Sequence, residues 1–437
     1  SFAPVDNTSN TWTPQLQNLG EQQQEETVLV LVDLAASNEA GKSLGGSALA
    51  QAYKQVGDSA PTVHSHKILK SFLETLIVLH KQFDILAYHD RSEGGLITTV
   101  LEMAFAGRCG LDLNINGKQD VFTELFNEEL GAVFQIKFKD YTKFQQIFLD
   151  NGIDENFIQI IGKPKFDSKQ LIDISFNGTP IYSSTRGHLQ QLWSNTSYHI
   201  QKLRDNPITS TQEYDAIKDD NDPGISYQLT YQPNEFKKYS LQQPKVAILR
   251  EQGVNSQQEM AWCFQQAGFD VYDVTMSDIL EGRTTLDDFV GIAACGGFSY
   301  GDVLGAGAGW AKSVLFHDKA RQEFKKFFQD RNDTFAFGAC NGCQFLSRIA
   351  ELIPGTENWP TFEKNLSEQY EARFVMVEIE SSPQKNNSIF LKNMKGSKLP
   401  IAVAHGEGRA QFKTLQEQKD FQLDVIHYVD NYGKITE

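Results

Sequence analysis

The sequence predicts an α/β fold in two domains, with a parallel sheet in the second domain. A chain of 437 residues is longer than one ordinary hydrophobic core supports, so two domains are expected. Apolar, β-branched runs alternate with segments of helical periodicity in both halves. In the second half the alternation is regular, which is typical of a parallel sheet that carries its chemistry at the carboxyl ends of its strands.

The first half opens with an apolar, β-branched run at Thr27–Asp33, which predicts a strand. The elements expected after it form a mixed α/β order. That order favours a sheet covered by helices on at least one face. The expected helices lie at 47–53, 68–80, 96–106 and 141–149, and the expected strands at 84–89 and 132–138.

Turn-forming residues replace apolar ones from about residue 204 to 243, which indicates a long connector over the surface. A new α/β unit then opens with the strand Lys245–Arg250. Ser256 and Glu259 have the spacing of a capping box, and they predict a helix that ends near Gly268. Further buried strands are expected at 269–274, 290–295 and 334–339.

Composition narrows the function classes. Apolar residues make up 40 % of the chain and charged residues 22 %, which is typical of a folded protein rather than a disordered one. A net charge of −16 disfavours nucleic-acid binding, although it does not exclude a local basic pocket for a nucleotide. No apolar run is long enough to predict a membrane helix. No pattern at the amino terminus predicts a signal peptide. Five cysteines without framework spacing favour free thiols in a reducing cytoplasm.

The strongest motif is a nucleophile elbow at 334–348, where a buried strand runs into Gly338-Ala339-Cys340-Asn341-Gly342 and a helix follows. A tight strand–helix turn needs small residues, and it holds the central side chain clear of the backbone. The positive end of the helix favours the thiolate of Cys340. We therefore expect Cys340 to be a catalytic nucleophile whose neighbouring backbone N–H groups receive an oxyanion.

A second glycine-rich loop follows the preceding strand and includes Gly296, Gly297, Phe298 and Ser299. In a parallel sheet it emerges at the same edge as Cys340, so its amides are candidates for the other half of an oxyanion hole. Three other interpretations of Cys340 stay open: a redox pair with Cys343, half of a zinc site, and a buried core cysteine. A folded, partner-binding scaffold without catalysis is a further alternative.

Four segments of the second half resemble the class I glutaminase domain of the large, glutaminase-fused phosphoribosylformylglycinamidine synthases. They are 250–256 (REQGVNS), 295–309 (CGGFSYGDVLGAGAG), 338–344 (GACNGCQ) and 404–409 (AHGEGR). The first half is similar to the AIR-synthase-like C-terminal domain that precedes it in that family, through the segments 1–5 (SFAPV), 88–95 (YHDRSEGG), 126–131 (FNEELG) and 203–207 (LRDNP).

The resemblance implies an AIR-synthase-like domain at 1–205, a linker at 206–243, and an incomplete glutamine amidotransferase domain with a flavodoxin-like parallel sheet at 244–437. It also implies a reaction: glutamine is hydrolysed at Cys340, and the ammonia replaces the amide oxygen of formylglycinamide ribonucleotide at the expense of ATP. Asn341 and the loop Gly296–Ser299 become the oxyanion donors. Asp90 matches a Mg²⁺ ligand, and Ser92 matches a nucleotide contact. The remaining synthetase domains of the same polypeptide are the implied partner.

One departure from the family concerns the base. The family completes its catalytic triad with a His-x-Glu pair in a Pro-His-Pro-Glu segment, and this chain contains no such segment. His405 and Glu407 have the same spacing but match a separate, earlier element, so we expect them to shape the glutamine pocket instead. The chain starts without Met and stops after what reads as a turn, which predicts a piece of a longer polypeptide with weak glutaminase activity by itself.

Overall fold

The computed structural model describes residues 4, 7–19, 25–38, 41–233, 243–382, 388–391, 393–421 and 424–436. The chain divides into two compact units, the first formed by 1–201 with 211–221 and the second by 202–210 with 222–437. The predicted boundaries at 205 and 243 stay a prediction. Apart from Pro4, the opening segment 1–5 lies outside the described residues.

A seven-stranded sheet forms the centre of the first unit. Its order is β2-β4-β1-β5-β3-β6-β7, and all neighbours are antiparallel except β3 and β6. The strands are β1 (Thr27–Asp33), β2 (Ala87–Asp90), β3 (Gly110–Ile115), β4 (Gly131–Lys137), β5 (Ile158–Lys165), β6 (Leu171–Phe176) and β7 (Thr179–Thr185).

Helices cover both faces of this sheet. Those of the first half are α1 (Ala48–Ala52), α2 (His66–Gln82), α3 (Gly95–Gly107), α4 (Val121–Phe126) and α5 (Tyr141–Asp150). Because side chains alternate along a strand, β1 serves two cores. Leu29 and Leu31 lie in the cluster that contains α3, whereas Val30 lies in the cluster that contains α2 and α5. The prediction of an α/β domain with a helix-covered sheet is confirmed.

The predicted connector contains regular structure that the sequence analysis missed. The long helix α6 (Arg186–Arg204) leads into it, and α7 (Pro207–Ala216) lies inside it. Asn206 caps α7, since its side chain accepts hydrogen bonds from the backbone N–H groups of Ile208 and Thr209. Pro207 occupies the first helical turn, where its missing N–H costs nothing. Residues 234–242 of the predicted linker lie outside the described part.

The second unit is built on a parallel sheet of order β11-β10-β8-β9. This is the order expected of a flavodoxin-like sheet, so the predicted fold class is confirmed. The residues Val246–Leu249 and Ile292–Ala294 of the two central strands are fully buried. The elements are β8 (Lys245–Arg250), α8 (Gln257–Gln266), β9 (Asp270–Thr275), α9 (Met276–Glu281), β10 (Gly291–Ala294), α10 (Ala308–Leu315), α11 (Asp318–Lys325), β11 (Phe335–Gly338) and α12 (Asn341–Arg348).

Two small antiparallel sheets and one helix complete the second unit, and none of them was expected from the sequence. The sheets have the orders β12-β15 and β14-β13-β16. The elements are β12 (Thr361–Glu363), β13 (Glu371–Ile379), β14 (Lys398–His405), β15 (Arg409–Gln411), α13 (Leu415–Asp420) and β16 (Ile426–Val429). Among the helices of the described residues, none has the length and apolar character to cross a bilayer.

The predicted capping box at the start of α8 is wrong. Ser256 does occupy the N-cap position, but its side chain makes no capping hydrogen bond. Its hydroxyl instead accepts a hydrogen bond at 3.0 Å from the backbone N–H of Gly296, forty residues further along the chain. A contact with a distant loop therefore replaces the local one that the spacing indicates.

Candidate functional site

Cys340 lies at the turn between β11 and α12, in a backbone conformation that few non-glycine residues adopt. Its φ is 55° and its ψ is −117°. Such a conformation costs on the order of 1–3 kcal/mol and persists where the surrounding structure enforces it, which is common at active sites. The residue is exposed, and all five cysteines are free, so Cys340 forms no disulfide with Cys343.

The glycines on either side of Cys340 are required by close backbone contacts. A Cβ atom at Gly342 would lie 2.0 Å from the carbonyl oxygen of Ala294, and one at Gly338 would lie 2.7 Å from the carbonyl oxygen of Gly342. Ala294 is the last residue of the neighbouring strand β10. The helix α12 thus starts directly against the end of that strand, and only glycine fits between them.

The loop after β10 reaches the side of Cys340. A Cβ atom at Gly296 would lie 3.1 Å from the Cβ atom of Cys340. The next residue, Gly297, has a φ of 130°, and a Cβ there would lie 2.6 Å from the carbonyl oxygen of Gly253. Adjacent strands of the parallel sheet therefore bring the two glycine-rich loops together at one edge, as expected from the sequence.

Most backbone N–H groups of this loop are already used within the protein. Gly296 N–H donates to Ser256 Oγ at 3.0 Å, Phe298 N–H to the Gly253 carbonyl at 2.9 Å, and Ser299 N–H to Asn341 Oδ1 at 3.2 Å. By contrast, Gly297 N–H and Asn341 N–H have no acceptor among the described residues. The geometry therefore leaves two backbone donors beside Cys340.

The Asn341 side chain, which is 1 % exposed, connects the nucleophile turn to the second loop. Besides accepting from Ser299 N–H, it donates to Asp302 Oδ1 at 2.9 Å and to Gln344 Oε1 at 3.2 Å. Burial raises the pKa of Asp302, the hydrogen bond from Asn341 opposes that rise, and the nearby charge of Glu407 adds to it. The sequence predicts Asn341 as a backbone donor but does not indicate this role of its side chain.

His405 and Glu407 form hydrogen bonds with residues other than Cys340. His405 Nδ1 lies 2.9 Å from Asn365 Oδ1. Glu407 Oε2 accepts a hydrogen bond from Ala306 N–H at 2.8 Å, and the Glu407 carbonyl accepts one from Gln344 Nε2 at 2.6 Å. Glu407 thus connects the loop that contains Ala306 to the helix α12 beside Cys340. These contacts are consistent with the expectation that Glu407 shapes the glutamine pocket.

Two other thiols of the second unit, those of Cys295 and Cys343, differ from Cys340 in their surroundings. Burial raises the pKa of Cys295 to about 12, and the carboxylates of Asp273 and Glu259 contribute to that rise. Burial also raises the pKa of Cys343. A raised pKa keeps a thiol protonated and unreactive near neutral pH, so neither side chain matches the exposed Cys340 as a nucleophile.

Asp90 and Ser92 lie in the first unit, at and just after the end of β2. The Asp90 side chain is 65 % exposed, and Ser92 is also exposed. Arg91 between them points inward, where it pairs with Asp33 at 2.7 Å and donates to the Glu129 carbonyl at 2.5 Å. The buried arginine fixes the backbone so that its two neighbours face solvent. Sequence reasoning did not find Arg91 or Asp33.

The donor set around Asp90 supplies few metal ligands. Within the described ranges, no three His, Cys, Asp or Glu side chains are grouped as a metal site. Its neighbour His89 places Nδ1 3.5 Å from Asp90 Oδ1. A single carboxylate fits Mg²⁺ only where water and nucleotide phosphates provide the other ligands, which is how Mg²⁺ is commonly bound.

Two cavities of the first unit flank Lys42, with volumes of about 760 and 440 Å³. The Lys42 ammonium pairs with Asp33 at 2.8 Å and also with Glu124. A lysine neutralised by two buried carboxylates is not free to bind a phosphate as a P-loop lysine does. The ion pairs of Lys42 therefore disfavour a P-loop at Gly41-Lys42-Ser43.

Comparison with protein families finds a matching domain in each half of the chain. Residues 243–437 match the CobB/CobQ-like glutamine amidotransferase domain, and residues 24–139 match the AIR synthase related protein, C-terminal domain. The chain therefore combines a glutamine amidotransferase domain with an AIR-synthase-related domain.

Similarity to particular proteins extends over the whole chain. The chain is 60 % identical to the phosphoribosylformylglycinamidine synthase of Saccharomyces cerevisiae and 48 % identical to that of Schizosaccharomyces pombe, with all of this chain covered in both cases. It spans 33 % of the length of each of these relatives. The resemblance drawn from the motifs is thereby confirmed.

Among solved structures, a match is found to the structure of PurLQS from Thermotoga maritima. The identity is 24 %, the TM-score is 0.32, and the match covers 45 % of this chain and 81 % of that chain.

Proposed function

We propose that this chain supplies the ammonia-producing domain and one synthetase domain of a phosphoribosylformylglycinamidine synthase, a glutamine-hydrolysing ligase of purine biosynthesis. The complete enzyme would convert formylglycinamide ribonucleotide, glutamine, ATP and water into formylglycinamidine ribonucleotide, glutamate, ADP and phosphate. The observation that carries the proposal is the exposed, strained Cys340 at the start of α12. The 60 % identity to the yeast enzyme over the whole chain supports the substrates.

The glutaminase half-reaction follows from the groups around Cys340. Its thiolate attacks the side-chain carbonyl carbon of glutamine, a C–S bond forms, and negative charge develops on the carbonyl oxygen. The N–H groups of Gly297 and Asn341 are the donors proposed for that oxygen, because those of Gly296, Phe298 and Ser299 are already used. Collapse of the intermediate breaks the C–N bond, ammonia leaves with an added proton, and water then hydrolyses the thioester to glutamate.

The synthetase half-reaction is proposed to use the loop that carries Asp90 and Ser92. Both side chains face solvent on a backbone fixed by the buried Arg91. We propose that Ser92 contacts ATP and that Asp90 holds a Mg²⁺ ion together with the ATP phosphates. Bound Mg²⁺ would neutralise charge on those phosphates. Formylglycinamide ribonucleotide and the other synthetase domains of the polypeptide complete the set of proposed partners.

A glutamine-analogue electrophile that alkylates glutaminase nucleophiles, 6-diazo-5-oxonorleucine, tests the proposal. We expect covalent labelling at Cys340, located by peptide mass spectrometry, and protection by added glutamine. The Cys340→Ala variant should not be labelled, whereas the matched Cys343→Ser variant should be labelled as the unmodified chain is. Labelling at Cys343, or the absence of glutamine protection, would contradict a glutaminase role for this site.

A further inference from the structure

The feature that the proposed reaction leaves unexplained is the Ser256 hydroxyl. It stands at the N-cap of α8, where serine normally bonds to the helix N–H groups, yet it makes no such bond. It contacts Gly296 instead, accepting from the Gly296 N–H at 3.0 Å and lying 3.4 Å from the Gly296 carbonyl oxygen. A local rule broken without a local benefit is a sign of a functional constraint.

Gly296 lies against both Ser256 and the nucleophile. A Cβ atom on Gly296 would lie 3.4 Å from Ser256 Oγ and 3.1 Å from the Cys340 Cβ. The hydroxyl and the cysteine side chain are therefore on the same side of this residue. This proximity of the two side chains is a property of the protein alone and does not depend on a bound substrate.

The contact also fixes the direction of a backbone donor. The carbonyl oxygen of Gly296 and the N–H of Gly297 belong to one trans peptide group, so they point in opposite directions. Asn255 N–H, at 3.2 Å, and the Ser256 hydroxyl both lie at that carbonyl oxygen. Holding the oxygen on the side of α8 aims the Gly297 N–H away from α8.

A restraint is needed here because both residues of this peptide are glycines. Gly297 has a φ of 130°, and glycine reaches alternative φ and ψ values at little steric cost. Rotation of the Gly296–Gly297 peptide would exchange the N–H for the carbonyl oxygen. A carbonyl in that position would repel an oxyanion instead of stabilising it.

We propose that Ser256 is a positioning residue that holds the Gly296–Gly297 peptide with its N–H directed to the oxyanion formed at Cys340. This inference rests on the proposed glutaminase function. It assigns to the loop 253–256 a part in transition-state stabilisation, although none of its side chains needs to touch the substrate.

Two reactions of Cys340 separate positioning of the oxyanion donor from general effects on the thiol. Acylation by γ-glutamyl-p-nitroanilide passes through a tetrahedral oxyanion, forms a C–S bond, breaks the C–N bond and releases p-nitroaniline, which takes up the proton. Alkylation by iodoacetamide at the same sulfur involves no oxyanion. Removing one oxyanion-hole donor outright typically costs about 100-fold or more in rate, so loss of a restraint on it should cost about tenfold.

For Ser256→Ala we expect acylation to slow about tenfold, while alkylation of Cys340 stays within about twofold of the unmodified chain. Ser256→Thr keeps the hydroxyl and should restore acylation. The control is Thr275→Ala, which removes a hydroxyl that does cap its helix, α9. That control should lower the Tm and leave both rates of the folded protein unchanged.

The outcomes separate this inference from the function on which it rests. Equal acylation in Ser256→Ala and the unmodified chain would overturn the positioning role alone, as would an equal loss of acylation and alkylation. Release of p-nitroaniline by Cys340→Ala as fast as by the unmodified chain would overturn the glutaminase function itself, and the inference with it.

Discussion

The Asn341 carboxamide accepts a hydrogen bond from the backbone N–H of Ser299 at 3.2 Å and joins two loops that are 42 residues apart in the chain. The same side chain donates to Asp302 at 2.9 Å. It thereby positions the residue that follows Cys340, the proposed nucleophile, relative to the loop that would supply the second oxyanion donor.

Asn341→Ala should therefore weaken both the fold and the acylation reaction. It leaves the buried Ser299 N–H without an acceptor, which typically costs about 1–3 kcal/mol of unfolding free energy. Urea unfolding of the purified chain measures that loss, and p-nitroaniline release measures acylation. Asn332→Ala, at an exposed position, is the control and should change neither. A stable, fully active Asn341→Ala protein would show that the connection is dispensable.

Gly342→Ala should destabilise the second unit. The added Cβ would lie 2.0 Å from the Ala294 carbonyl oxygen, so α12 and β10 must move apart. Inserting atoms into a packed contact usually costs about 1–3 kcal/mol, and backbone on both sides favours the upper part of that range. Thermal unfolding measures the change. Gly406→Ala is the matched control, because a Cβ there meets nothing within 4 Å. Equal melting curves for the two variants would refute the steric argument.

Four of the five thiols should react with iodoacetamide in an order set by their burial. Burial raises the pKa of Cys109 and of Cys295 to about 12, so at pH 8 only about one molecule in 10⁴ carries either thiolate. We expect rapid labelling at the exposed Cys340 and Cys263, and labelling of Cys109 and Cys295 only after urea is added. Peptide mapping by mass spectrometry reads out each site. Early labelling of Cys295 in the native protein would be the contrary result.

Asp33 should make the first unit sensitive to acid. The charges of Arg91 and Lys42 outweigh burial and lower the pKa of Asp33 to about 2, against about 3.9 in an unfolded chain. A lowered folded pKa stabilises the fold above pH 4, and this contribution is lost as the pH falls from about 4 to about 2. Its full size is about 2–3 kcal/mol by linkage.

Urea unfolding of the unmodified chain and Asp33→Asn across that pH range tests this prediction. The variant should be less stable at pH 6, because Arg91 and Lys42 lose a buried partner. The difference between the two proteins should narrow as the pH approaches 2. Asp154→Asn, at an exposed residue of the same unit, should show no such trend. A difference that is constant with pH would rule out the linkage.

Asp90→Asn should weaken binding of Mg²⁺–ATP while leaving the fold intact, since the Asp90 side chain is 65 % exposed. Loss of one carboxylate ligand should raise the Kd for Mg²⁺–ATP about tenfold or more, measured by isothermal titration calorimetry. Asp154→Asn serves again as the control. Tight binding that is indifferent to Asp90 but abolished by Ser92→Ala would remove the metal role and keep the nucleotide role.

Local signals account for the parts of the fold that the sequence predicted. The runs Thr27–Asp33 and Lys245–Arg250 are apolar and buried almost throughout, and both were placed to the residue. The nucleophile elbow was also found, because its glycines and cysteine are neighbours in the chain. By contrast, β14 contains Pro400, which disfavours a strand, and its side chains are only partly buried or exposed.

Long-range contacts account for what the sequence could not show. The spacing of Ser256 and Glu259 correctly placed the start of α8, but not the partner of the hydroxyl, which belongs to a loop forty residues away. The side-chain contacts of Asn341 and the ion pair of Arg91 with Asp33 likewise join segments that only the folded sheet brings together.

The parallel order of β8, β10 and β11 has a consequence for refolding. The segments that follow these strands meet only after all three have paired, and parallel pairing needs crossover connections that form slowly. A partly folded chain could therefore expose the Cys340 sulfur before the Gly296–Gly297 peptide, which is proposed to stabilise the oxyanion, is in place. Recovery of simple alkylation at Cys340 should then precede recovery of acyl transfer. The time between the two recoveries would measure how long the parallel sheet takes to form.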